Sequence, residues 1–190
     1  MKTIIKDKVY ELEINKSRFI TLLYKVDSLD KVKDKLNEVK NLYKDATHYC
    51  YAYIINDNKK SSDDGEPGGT AGVPIMEVLL KNDLNFVLCI VVRYFGGIKL
   101  GAGGLVRAYS KSVSNSLDEE NIIELIPGYE IVFDCSYDNQ KNIDYLLREF
   151  KVEKEYLDIV KYIVFLPKDK ISILDNINYE IIKELFIEEK

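Results

Sequence analysis

The sequence predicts an α+β protein of two domains, residues 1–127 and 128–190. Strand-like and helix-like hydrophobic periods alternate along its whole length. Nine of its ten glycines fall between Asp63 and Arg107. The net charge of -5 lies entirely in the C-terminal third, with 18 Lys+Arg against 18 Asp+Glu up to residue 127 and 9 against 14 beyond it. At 190 residues and 46% hydrophobic, the chain can bury one large core or two small ones.

Residues 10–14 and 18–26 alternate or run apolar like strands, joined by an Asn15-Lys16-Ser17 turn. Leu29, Val32, Leu36, Val39 and Tyr43 then follow helical spacing, with Ser28 placed to cap. Residues 49–55 read as a strand, with Tyr49, Tyr51 and Tyr53 on one face, and 56–69 as a polar loop. Thr70 or a near neighbour is expected to cap a helix running through Pro74, Ile75, Val78 and Leu79. The unbroken apolar run 86–92 is a central strand ending at Arg93 and Tyr94, and a second glycine cluster follows it. Leu105, Ala108, Tyr109, Ser112 and Val113 return to helical spacing, so this unit is strand, glycine turn, helix. Pro127-Gly128 marks the expected domain boundary. Beyond it the order strand, helix, strand, strand, helix, strand predicts a ferredoxin-like domain, its helices bearing Ile143, Leu146, Leu147 and Phe150, then Ile171, Leu174 and Ile177.

Charge near the N-terminus argues against a signal peptide, and no apolar run approaches bilayer length, so the expected location is cytoplasmic with no membrane contact. Cys50, Cys89 and Cys135 are odd in number and lie in strand-like runs, which reads as buried thiols. His48 is the one histidine; it shares a strand face with Cys50, but a packed imidazole is the plainer reading.

A glycine turn between strand and helix resembles a phosphate cradle, because N–H groups at a helix start favour an anion. Gly96 and Gly101 have Walker A separation, yet Ala102 and Gly103 stand where Lys and Ser/Thr are required. Gly101-Ala102-Gly103 would begin a dinucleotide fingerprint that Val106 obstructs. No nucleotide cofactor, metal or other cofactor is therefore expected, and no catalytic residue is assigned. From 84 to 117 there is no Asp or Glu, although even scatter would place about six there. That leaves a basic window suited to nucleic-acid phosphate: Arg93, Lys99, Arg107 and Lys111 as cations, with Gly96, Gly97, Gly101, Gly103 and Gly104 admitting close approach. The alternative use of these glycines is tight turns and helix packing. Asp63, Asp64 and Glu66 form an acidic loop that solvates or stabilises the next helix start, or holds a hard cation for hydrolysis.

Four blocks then carry a resemblance to the YigZ/IMPACT family. They are Lys16-Ser17-Arg18-Phe19-Ile20; Ala46-Thr47-His48-Tyr49-Cys50; Ser62 to Ile75, which contains Asp63, Asp64, Gly65, Glu66 and Thr70; and Val92 to Tyr109. The resemblance implies an N-terminal domain folded like domain IV of elongation factor G and a C-terminal one folded like its domain V. It also implies a link to translation. Eukaryotic members regulate translation under stress through an added RWD domain for which 190 residues leave no room, so that kinase-linked role is not carried over. The function expected is a cytosolic, translation-associated protein that binds RNA or a ribosomal or translation partner through its basic glycine-rich face. The rival expectation is a metal-assisted hydrolase built on Asp63, Asp64 and Glu66.

Overall fold

The computed structural model describes residues 1–189 and divides into two compact units, Met1–Ile123 and Glu124–Lys190. In the first unit the elements run β1 (Lys2–Ile4), β2 (Lys8–Ile14), β3 (Ser17–Lys25), α1 (Leu29–Leu42), β4 (His48–Ile55), β5 (Asn58–Ser62), α2 (Gly72–Lys81), β6 (Val87–Tyr94) and α3 (Ala102–Ser116). Five strands form one antiparallel sheet in the order β2-β3-β6-β4-β5. The apolar run Val87 to Val92 sits at its centre because both its faces are covered. Phe19, Leu23, Cys50, Ala52, Val87, Cys89 and Val91 face α2 and α3; Ile20, Leu22, Ile55, Leu88, Ile90 and Val92 face the Val32 and Val39 stripe of α1. Ser28 caps α1 as expected, its hydroxyl accepting from the Lys31 N–H.

Residues 56–69 are not all loop. Asn58–Ser62 forms β5, paired with β4 from Ile55↔Asn58 to Tyr51↔Ser62 after a tight turn with Asn56 at φ 53°. This strand lies at the sheet edge and exposes Lys59 and Lys60. Only its backbone binds it to the sheet, so it has little apolar alternation, and the lysines protect the open edge from further pairing.

The second unit continues from β7 (Ile122–Cys135) through α4 (Gln140–Leu146), β8 (Lys151–Tyr156), β9 (Val160–Pro167), a 3-10 helix (Lys168–Leu174) and β10 (Glu180–Glu188). Its strands lie in the order β10-β7-β9-β8, every pair antiparallel, which is the ferredoxin-like arrangement. Ile131, Phe133, Leu147, Val160, Tyr162, Val164, Leu166 and Leu174 form its core, with Phe133 and Tyr162 stacked at 5.1 Å between ring centroids. The units divide four residues ahead of the expected 127/128 boundary. Pro127-Gly128 is not a turn but lies inside β7, where pairing with β9 begins only at Gly128, so no β9 partner loses a bond to the missing proline N–H. Among the described residues, no helix is long and apolar enough to cross a membrane.

Gly128 shows how closely β7 is packed. A Cβ there would overlap the Ile187 side chain and stand 2.7 Å from the Leu166 carbonyl oxygen. Gly128→Ala should destabilise the second unit by about 1–3 kcal/mol. Hydrogen exchange should then accelerate at β7 and β10 amides while β3 and β6 amides keep their protection.

Candidate functional site

At one end of the first sheet, on the α2/α3 face, the strand register brings together Arg93 of β6, Phe19 of β3 and His48 of β4, since Phe19↔Arg93 and His48↔Arg93 are direct partners. The segment from Asp63 to Thr70 folds over them. Glu66, on that segment, carries a side chain only 3% exposed, and its Oε1 accepts from Arg93 Nη1 at 2.6 Å and from the Tyr109 hydroxyl at 2.8 Å. Arg93 Nη2 also lies 3.4 Å from the Ser17 hydroxyl oxygen, which accepts in turn from the Gly96 N–H at 3.2 Å. The guanidinium is flanked by two rings, Phe19 at 5.4 Å and Phe95 at 5.6 Å.

Arg93 itself is 5% exposed. It therefore cannot serve as the surface cation expected of it: its charge is matched by Glu66 and its ends are enclosed. The acid-free window is a property of the linear sequence, whereas the neutralising carboxylate arrives from 27 residues earlier.

The three acids of the loop have separate duties. Asp63 Oδ1 accepts from the N–H groups of Ala71 and Gly72, and Oδ2 from Gly69, so this carboxylate caps the start of α2. Thr70 does not cap; its hydroxyl donates to the Pro67 carbonyl. Burial pushes the Asp63 carboxyl up, but the three backbone donors together outweigh it and hold it below the usual range. Asp64 accepts from the Tyr49 N–H at 2.7 Å. Among the described residues no three acidic, histidine or cysteine side chains are grouped to hold a metal ion. Of the three, Asp63 takes the helix-stabilising alternative, while Asp64 faces a strand amide and Glu66 a buried arginine and phenol.

His48 Nδ1 lies 2.8 Å from the Asp64 carbonyl, which assigns the ring proton to Nδ1, while Nε2 faces Glu66 Oε2 at 3.8 Å. Gly65, at φ 87°, lets the loop pass the imidazole. Cys50 is buried beneath, its thiol 2.9 Å from the Asp63 carbonyl and 3.3 Å from the Tyr109 hydroxyl. Burial pushes the Cys50 thiol up to about 12, against a smaller opposing pull from Tyr109, so near neutrality it stays protonated and is no nucleophile. Tyr109 is pushed up by burial first and remains a phenol donor to Glu66. Sequence periodicity placed Tyr109 in an apolar helical stripe. A tyrosine in such a stripe needs a partner for its hydroxyl, which was the available sign of the buried polar cluster.

The glycines divide by cause. Gly96 is forced, because a Cβ would overlap the Lys16 backbone. Gly97 and Gly101 hold φ of 83° and 69°. A Cβ at Gly104 would stand 3.0 Å from the Leu100 side chain, whereas one at Gly103 would meet nothing nearer than the Arg107 Nη1 at 3.7 Å. Lys99, Arg107 and Lys111 are exposed, and Gly103, Arg107 and Lys111 form one row along α3 at spacings of four. No side chain caps α3, and no acid lies in its first turn.

The Impact N-terminal domain family matches residues 15–117. The IMPACT family member YvyE of Bacillus subtilis is 49% identical over 118 residues, covering 60% of this chain but only 54% of that protein. The family member YigZ of Escherichia coli is 36% identical over 168 residues, covering 84% and 82% respectively. A crystal structure described as a hypothetical protein superposes with TM-score 0.68 at 31% identity, covering 96% of this chain and 97% of that one.

Two expected outcomes test the buried cluster. Glu66→Ala, which strands the Arg93 guanidinium, should cost about 3–5 kcal/mol in urea unfolding. Asp63→Asn should cost about 1 kcal/mol at neutral pH. Because the folded Asp63 pKa lies below its unfolded value near 3.8, the wild-type advantage is fully present above that value and fades as pH falls through the folded pKa. An advantage unchanged on acidification to well below 3.8 would contradict the capping role of the charge.

Proposed function

This chain belongs to the IMPACT family, and we propose that it is a translation-associated regulatory protein that binds RNA, free or within a ribosomal assembly, through the outer surface of the β6–α3 unit. The carrying observation is the fate of the acid-free window. Residues 84–117 fold into one strand–turn–helix unit, and its exposed cations Lys99, Arg107 and Lys111 have no ion-pair partner among the described residues. Elsewhere some exposed cations are paired, as in Arg18–Glu11, Lys31–Asp27 and Lys168–Glu184, and others such as Lys44, Lys59 and Lys60 have no such partner among the described residues; what sets this unit apart is that it holds three such cations and no acid. Three unpaired cations, one ahead of an uncapped, acid-free helix start and two along the helix, form a surface of one sign, which favours a polyanion and releases its counterions on binding.

Arg93 has a different part in this reading. It is a buried support beneath the surface and contributes no direct phosphate contact. Glycine also acts mainly within the fold: Gly96 lets the turn approach the protein's own backbone, and only Gly103 leaves open helix surface beside Arg107. The link to translation comes from the family resemblance of the motif blocks, and the charge surface supplies the chemistry by which a translation-associated RNA would be held.

The test is salt-dependent binding of single-stranded RNA by fluorescence anisotropy. Replacing Lys99, Arg107 and Lys111 together by alanine should weaken binding and flatten the slope of log K against log salt by about two units, from roughly 0.7 per phosphate contact. An unchanged slope would remove this surface from the RNA contact.

A further inference from the structure

Phe95 is a large apolar residue that rests on the buried cluster yet reaches the surface, 46% exposed directly after β6. Its position is fixed on several sides. The backbone N–H donates to Thr47 Oγ1 at 3.0 Å, and the Thr47 N–H donates to the Arg93 carbonyl at 2.8 Å. The Arg93 guanidinium lies 5.6 Å from the ring centroid and is itself held by Glu66 at 2.6 Å and backed by Phe19. The ring therefore rests on a buried, neutralised ion pair and cannot sink further inward.

The two residues after Phe95 bring no side chain against the ring. Gly96 has no side chain because its site abuts the Lys16 backbone, and Gly97 has none at φ 83°. Lys99 comes two residues later, exposed and without an ion-pair partner among the described residues. Lys16, whose backbone touches Gly96, is likewise exposed on the neighbouring turn. A rigid aromatic ring with cations on adjoining turns and no acid anywhere in its own segment is the chemistry of a base-stacking platform beside a phosphate track. An apolar protein partner could also use the exposed Ile98 and Val106 of this segment, but it would gain nothing from the unpaired lysines.

We propose that Phe95 is a stacking platform for an unpaired nucleobase, so that the β6–α3 surface selects single-stranded over duplex RNA. This rests on the reading of that surface as an RNA site. In a duplex the bases are already stacked on one another and present no free face to a side chain, whereas a loop or single strand offers one. Glu66 and Arg93 are positioning residues here: they hold the ring and do not touch the nucleic acid.

The chain has no tryptophan, so Phe95→Trp places a single indole at the platform. Its emission should be quenched on titration with an oligouridylate or oligoadenylate, and should stay unchanged with a duplex of equal length or with polyphosphate, which has charge but no base. Phe95→Ala should weaken single-strand binding by about tenfold while the salt slope stays as in the unaltered protein, because stacking releases no counterion. Equal quenching by duplex or by polyphosphate overturns the proposal. If Phe95→Ala binds single strands as tightly as the unaltered protein while the Lys99, Arg107 and Lys111 triple variant binds weakly, the platform falls and the RNA surface stands. If the unaltered protein binds no RNA at low salt, both fall together.

Discussion

A charged pair taken out of water keeps its place only when its geometry is good and most of its remaining hydrogen-bonding capacity is met, and one end of the first unit is arranged around meeting that condition for Glu66 and Arg93, with the buried Arg93 Nε the donor left without a partner. The pair joins the Asp63–Thr70 segment to β6. Through the Tyr109 hydroxyl it reaches α3, and through Ser17 it reaches the β2–β3 turn and the Gly96 amide. Four stretches distant in sequence are thus held at one point. Apolar packing would leave them free to slide, because hydrophobic contact has no direction, whereas hydrogen bonds to charged groups fix angle as well as distance. The same point defines what lies outside it, since the Arg93 guanidinium forms the floor under Phe95.

The parts of the fold legible in the sequence were those where side-chain pattern and structure report the same force. The 86–92 run had to be a central strand because only burial on both faces tolerates continuous apolar residues, and the stripes of α1 and α3 fall at helical spacing because one face is buried. β5 was illegible for the complementary reason: Asn58-Lys59-Lys60-Ser61-Ser62 is held to β4 by backbone bonds, and its side chains are polar throughout, exposed at Asn58, Lys59 and Lys60 and only half-buried at Ser61 and Ser62. Pro127-Gly128 misled because the pair signals a turn in isolation. In β7 the glycine is there to let Ile187 and the Leu166 carbonyl come close, a need that appears only once the strands are paired.

At the candidate site, counting charges along the chain pointed to residues 84–117 but gave Arg93 a surface role that its burial denies. Lys99, Arg107 and Lys111 lie on outward positions of a turn and a helix, and the sequence pattern places them there. Arg93 continues the inward alternation of Val87, Cys89 and Val91, so its strand position pointed to the core even though its charge suggested the surface. Where strand register and charge disagree, the buried outcome requires a partner, and Glu66 is that partner. Tyr109 obeys the same logic on α3.

The cap of α2 also couples the helix to the edge of the sheet. At ten residues α2 is too short to persist alone in water, and its first amides are satisfied by a carboxylate lying nine residues before its first residue, outside any local capping box. Asp63 comes directly after Ser62, the last residue of β5, whose place is set by its pairing with Tyr51. Pairing of β4 with β5 thus holds the acceptor in place for the donors of α2, and the bound carboxylate in turn anchors the end of β5, so the edge of the sheet and the start of the helix support one another.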